Sequence, residues 1–99
     1  MLPVGVLTEF KERMHLGDFE DDNLERILRS SYIALVKECG DYTFEDEDFK
    51  ELVFERSRYV YNDALEYFDQ NFLRRINTLA MEKAVEEMRE QDETEQVQP

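Results

Sequence analysis

The stretch Glu51-Leu52-Val53-Phe54-Glu55-Arg56-Ser57-Arg58-Tyr59-Val60-Tyr61-Asn62-Asp63-Ala64 decides the fold class. Apolar groups recur in it three and four residues apart, the period of an α-helix, and no glycine or proline interrupts it. Extended both ways, the same period predicts a helix over 46–69 with Asp46 as its cap. Its apolar face reads Phe49, Leu52, Val53, Val60, Ala64, Tyr67 and Phe68, with Ser57, Tyr61 and Leu65 alongside. At 1.5 Å per residue such a helix would be about 36 Å long, a large span for so short a chain.

Outward from this stretch the same spacing predicts three more helices. One covers about 5–15, with Leu7, Phe10 and Met14 as a narrow stripe ended by Gly17 and Asp18. A second covers about 22–39, with Leu24, Ile27, Leu28, Ser31, Leu35 and Cys39 on one face. Asp22 and Glu25 have the spacing of a capping box at its start, and Gly40 is suited to a left-handed stop. The last covers about 72–90, with Asn71 as its cap and Phe72, Ile76, Leu79, Ala80, Ala84 and Met88 on its face. The interior lacks the Gly and Pro punctuation of a many-stranded sheet. The expected architecture is therefore all-α: a small bundle of about four helices with one long central helix. One domain spans 1–90, and the apolar-poor segment 91–99 reads as a disordered, flexible acidic tail.

Charge narrows the function. The 99 residues carry 12 Lys and Arg against 25 Asp and Glu, a formal charge of −13. A chain so acidic does not hold phosphate backbones by counterion release, and anionic membrane surfaces repel it. No window approaches the ~20 apolar residues of a membrane span, and Met1–Leu7 lacks the basic region of a secretory leader. A single cysteine, Cys39, allows no internal disulfide and suits a reducing cytoplasm.

The chemistry of catalysis is sparse. Asp18, Glu20 and Asp22 alternate as in a calcium loop, but Asn23 and Arg29 stand where that loop needs Gly and Glu. Glu45-Asp46-Glu47-Asp48 also lacks the glycine turn, so both runs read as solvated loops or helix caps. His15 has no second histidine or cysteine nearby to share a zinc ion, and Cys39 reads as a small buried hydrophobe. Neither a phosphate-binding glycine loop nor a nucleophile elbow is present. The expectation is a protein without catalytic residues, cofactor or metal.

Aromatic and arginine residues are dense between Phe54 and Tyr61. By helical geometry Phe54 and Tyr59 point away from the Val53/Val60 stripe, so this helix is apolar on two sides. Either a neighbouring subunit covers the second side, or Phe54 and Tyr59 pack beneath the first helix or the tail. Phe72-Leu73-Arg74-Arg75-Ile76 joins a basic pair to large apolar groups, which fits either a turn into the last helix or a docking surface.

Three stretches together carry a family likeness: Leu7–His15 followed by the acidic loop and Asp22-Asn23-Leu24; Lys37–Tyr42; and Glu51–Phe68 leading into Asn71-Phe72. In this order the chain resembles the small head–tail connector (adaptor, or DNA-packaging) proteins of long-tailed bacteriophages of Gram-positive hosts. The resemblance implies a structural virion protein at the head–tail interface, present in the host cytoplasm during assembly. Such subunits form a homo-oligomeric ring under the portal, a dodecamer when bound there and a monomer in isolation. The ring extends the DNA channel and gives a platform to the stopper and tail-completion proteins; DNA passes through without specific binding, and no membrane is involved. Carried onto this chain, the resemblance places Phe54, Arg56, Arg58, Tyr59 and Tyr61 near subunit contacts and Phe72, Leu73, Arg74, Arg75 and Ile76 toward the portal. An acidic channel wall would repel a sliding DNA backbone.

Size and charge also fit a small acidic DNA mimic that inhibits a nucleic-acid-binding enzyme. Here, however, the acids gather at loops and the tail among 12 basic residues. A carboxylate-based metal nuclease is a third class, testable by titration with magnesium, manganese and calcium.

Overall fold

The computed structural model describes residues 2–97. Four helices follow one another: α1 (Val6–Met14), α2 (Asp21–Cys39), α3 (Glu47–Tyr61) and, after a single 3-10 turn at Leu65–Tyr67, α4 (Phe68–Val97). No strand occurs among the described residues.

The main departure from expectation lies between Tyr61 and Phe68. The helix predicted over 46–69 stops at Tyr61, because Asp63 turns left-handed at φ 56. The Asp63 N–H donates to the Val60 carbonyl at 3.1 Å and the Ala64 N–H to that of Tyr59 at 2.8 Å, which closes the helix end as a Schellman motif. Aspartate tolerates this conformation better than most residues, so Asn62-Asp63 is a chemically sensible stop. Helical length passes to α4, which begins at Phe68 rather than near 72; the long helix is the C-terminal one, not a central one. Asn71 accordingly caps nothing, and its amide donates to the Tyr59 hydroxyl at 3.1 Å. The expected tail, 91–99, falls largely on residues whose side chains are not described; α4 is bounded at Val97, and Gln98 and Pro99 lie outside the described residues.

Other helix ends follow from local chemistry. Asp46 caps α3 as expected, its carboxylate accepting from the Phe49 N–H at 2.9 Å. His15 ends α1 at φ 58, with the Leu16 N–H on the Lys11 carbonyl at 2.9 Å. The expected box at Asp22 and Glu25 does not form. α2 begins one residue earlier, and Asp21 and Asp22 sit in its first turn, where carboxylates complement the exposed N–H groups. Lys11 spans the acidic loop to reach Asp18 at 2.5 Å and Asp21 at 2.9 Å.

The core joins all four helices. Leu24, Leu28, Leu35 and Cys39 from α2 meet Phe49, Leu52, Val53 and Phe54 from α3, closed by Phe10 from α1 and by Phe68, Ile76 and Leu79 from α4. Ser31 and Ser57 are fully buried small residues on the facing sides of α2 and α3. Arg56 donates to the Ser31 hydroxyl at 3.1 Å, whereas the Ser57 hydroxyl finds no partner. The α2–α3 connection fastens α4: the Tyr42 hydroxyl donates to the Leu79 carbonyl at 2.7 Å, and the Lys83 ammonium sits 4.4 Å from the centre of the Tyr42 ring.

Past that fastening α4 leaves the body. Every described side chain from Ala84 to Gln91 is exposed. The radius of gyration is 16.0 Å and the long dimension 59 Å; a compact domain of this length would have a radius of about 13 Å.

Candidate interaction surfaces

The residues expected at subunit contacts divide by burial. Phe54 is 1% exposed and fills the core, its ring 5.4 Å from that of Phe10. This corrects the two-sided reading of the helix at that position: α1 covers the second side, and Arg13 lies over the Phe54 ring at 5.7 Å. Tyr59 is half-buried, edge-on to Phe68 and Phe72 at 5.7 and 5.8 Å, with Arg58 over its ring at 5.4 Å. Tyr61 donates to Glu20 at 2.6 Å, which ties the end of α3 to the start of α2 and raises the phenol's pKa. Arg58 is exposed and pairs with Glu55 at 2.7 Å. Arg56, Arg58, Tyr59 and Tyr61 thus point to different sides of α3, each with an intramolecular partner: Ser31 on α2, Glu55 on α3, Phe68 and Phe72 on α4, and Glu20 before α2.

The group Phe72–Ile76 splits by helical phase. Phe72 and Ile76, one turn apart, face the body, with Ile76 6% exposed. Leu73, Arg74 and Arg75 face solvent, and neither arginine makes an ion pair among the described residues. The expected inner face of the last helix holds only as far as Leu79: Ala84 is exposed and Met88 is 63% exposed, because their helical phase turns them to the side away from Ile76 and Leu79.

Besides Ile33, Leu65 and Tyr67, which are individually exposed, three apolar features stand uncovered. Phe19, at 99% exposure, projects from the acidic loop between α1 and α2. Val4, fully exposed, stands beside a shallow hollow formed with Pro3, Thr43, Phe44 and Lys50. These two lie at opposite ends of the body. Lys50, at the start of α3, pairs with Glu9 near the start of α1, while Tyr61, at the far end of α3, reaches Glu20. The third is the outward side of α4, with Leu73, Met81, Val85 and Met88 exposed. Neither Phe19 nor Met81 stands out in the sequence as a surface group, although two signals were available: Phe19 falls in the acidic loop, and Met81 falls off the apolar stripe read for the last helix.

Electrostatics match this division. Lys11, Arg13, Arg29, Lys50, Arg58 and Lys83 are each paired with a carboxylate, Arg13 with both Glu51 and Glu55. The acids of the body are therefore interrupted by cations rather than arrayed like phosphates. Arg13 holds the Glu51 carboxyl below its ordinary range. Burial, reinforced by Glu38, pushes the Cys39 thiol up to about 11, and its sulfur lies 3.9 Å from the Ile76 carbonyl. Among the described residues no group of three His, Cys, Asp or Glu is placed to hold a metal ion, and no helix is long and apolar enough to cross a membrane. Comparison with protein-family models, with curated proteins and with solved structures finds no match.

Proposed function

We propose that the chain is a structural subunit without catalytic activity: a head–tail connector that assembles as a ring beneath a phage portal, extends the DNA channel and receives the stopper and tail. The observation that supports this best is the pair of uncovered apolar groups, Phe19 and Val4, at opposite ends of the body. A ring is built from head-to-tail contacts, so each subunit needs two different surfaces that complement each other. A bare phenyl ring at one end and, at the other, a hollow lined by Val4, Val6 and Phe44 together with Glu9, Glu45 and Lys50 supply such a pair. On this reading Leu73, Arg74 and Arg75 remain free to meet the portal, and Arg58 and Tyr59 border the neighbouring subunit.

The test is to mix the purified chain with its cognate portal oligomer and follow co-migration by size exclusion, then image the complex. A ring of subunits on the portal is the expected result. Phe19→Ser and Val4→Ser should each abolish the ring while leaving the helical circular dichroism unchanged. The reading fails if the chain does not co-migrate and particles made without it still retain DNA and join tails.

A further inference from the structure

We propose that the outward face of α4 pairs antiparallel with α4 of a second copy of this chain. The inference does not rest on the proposed function: it uses neither Phe19 nor Val4 and shares only Leu73 and Arg74 with the surface assigned to the portal. Asn77, Met81, Ala84 and Met88 follow one another at intervals of four, three and four residues, the spacing of a coiled-coil seam. Leu73 and Val85 border them. This seam lies about 150° around the helix from Phe68, Phe72, Ile76 and Leu79, so the body does not obstruct it. Leu73 is 55%, Met81 68%, Val85 45% and Met88 63% exposed.

Charge and shape select a second copy, running antiparallel. Arg74 continues the seam three residues before Asn77, and Glu87 borders it near the other end; neither makes an ion pair among the described residues. Antiparallel pairing brings Arg74 of each copy to the Glu87 end of the other, at both ends at once. Parallel pairing would set Arg74 against Arg74 and Glu87 against Glu87. Large and small groups also alternate: a register centred between Met81 and Ala84 seats each Met81 opposite Ala84 of the other copy and each Met88 opposite Asn77. The opposed helix dipoles add a favourable term. The four exposed side chains offer roughly 400 Å² per copy against about 800 Å² for a standard interface, so the pair is a weak one.

Single-cysteine variants of the full chain test the register. Cys39 is buried and stays silent. Along the helix axis the two copies of residue 81 would lie ~4–5 Å apart, those of 88 ~16 Å and those of 73 ~28 Å. Oxidised at 100 µM, Met81→Cys should form disulfide dimers at least ten times faster than Leu73→Cys, with Met88→Cys also slow. Sedimentation equilibrium should show Arg74→Glu weakening self-association at least fivefold and the double variant Arg74→Glu/Glu87→Arg restoring it. All five substituted positions are exposed, and circular dichroism confirms folding in each case. Equal cross-linking at 73, 81 and 88, a strictly monomeric chain at 500 µM, or a larger assembly in which Met81→Cys stays unlinked would each overturn the proposal.

Discussion

Gly40 holds the junction that aims α4, and replacing it with alanine should loosen the whole arrangement. Its backbone sits at φ 109, ψ −171, a region open almost only to glycine. Imposing a side chain there costs about 1–3 kcal/mol in strain. An added Cβ would also lie 2.6 Å from Lys83 Cγ and 3.3 Å from Lys83 Cβ. The Lys83 side chain can swing away, but doing so removes its ammonium from the Tyr42 ring, a contact worth about 0.5–2 kcal/mol. Against this, alanine restricts the unfolded chain and returns about 0.4–1 kcal/mol. Gly40→Ala should therefore destabilise by about 0.5–4.5 kcal/mol, centred near 2.5, a large share of the stability of any small domain. At about 4–8 °C per kcal/mol, the central figure lowers the midpoint by roughly 10–20 °C. Urea denaturation followed by circular dichroism reads the free energy, and a cycle with Lys83→Ala divides it. The contact part should vanish in the double variant, leaving the strain, with a coupling of about 1 kcal/mol. A Gly40→Ala variant within 0.5 kcal/mol of the parent would refute the strained junction. An additive cycle would refute the Lys83 contact.

Ser57→Ala should stabilise by about 0.5–1.5 kcal/mol in the same assay, because the buried hydroxyl lacks a partner and alanine is the better helix former; destabilisation beyond 1 kcal/mol would mean that the hydroxyl is satisfied. The Glu51 carboxyl is held below its ordinary 4.5 by Arg13, so its contribution is fully present above pH 4.5 and is lost as the pH falls through the lowered folded value. Acid titration of Glu51→Gln should accordingly show a shallower loss of stability below pH 4.5 than the parent, and an unchanged acid limb would count against the ion pair. Cys39, buried and with its thiol pushed up to about 11, should react with iodoacetamide at pH 8 at least about 100 times more slowly than free cysteine until urea unfolds the chain; modification at the free rate would contradict its burial.

The sequence displays clearly whatever depends on local spacing. The stripe Leu24, Ile27, Leu28, Ser31, Leu35, Cys39 is buried as its period demands, and Asp46 caps α3 as an aspartate before a helical run should. Two things escape a local reading. The break at Asn62–Ala64 depends on one aspartate adopting a left-handed conformation, which competes with helix continuation by only a small free energy and leaves the apolar period unbroken. Exposure depends on helical phase against the folded body. Leu79 and Met88 read as members of one apolar face, yet nine residues of helix set them on opposite sides, and only Leu79 has Tyr42 and α2 beneath it. Phe54 errs the other way, because a helix of nine residues, α1, is enough to cover a second face. The surfaces Arg58, Tyr59 and Leu73–Arg75 were visible as composition, but which members face solvent follows from helical phase against the folded body.

Two assemblies then draw on overlapping groups of one helix. The pairing proposed for α4 encloses Leu73 and engages Arg74, and the connector reading offers those same side chains to the portal, so a subunit held in a pair is not free to dock. Ring contacts through Phe19 and the Val4 hollow lie on the body and are untouched by pairing. A weak pair of this kind would therefore withhold α4 from wrong partners at high concentration without blocking growth of a ring once a template offers stronger contacts. Glu87→Arg separates the two uses: it repels Arg74 across the pair but alters none of the groups assigned to docking. Its expected effect is faster loading onto the portal at concentrations where the parent chain is dimeric. Loading that is unchanged there, in a variant shown by sedimentation to be monomeric, would mean that pairing and docking do not compete for Leu73 and Arg74.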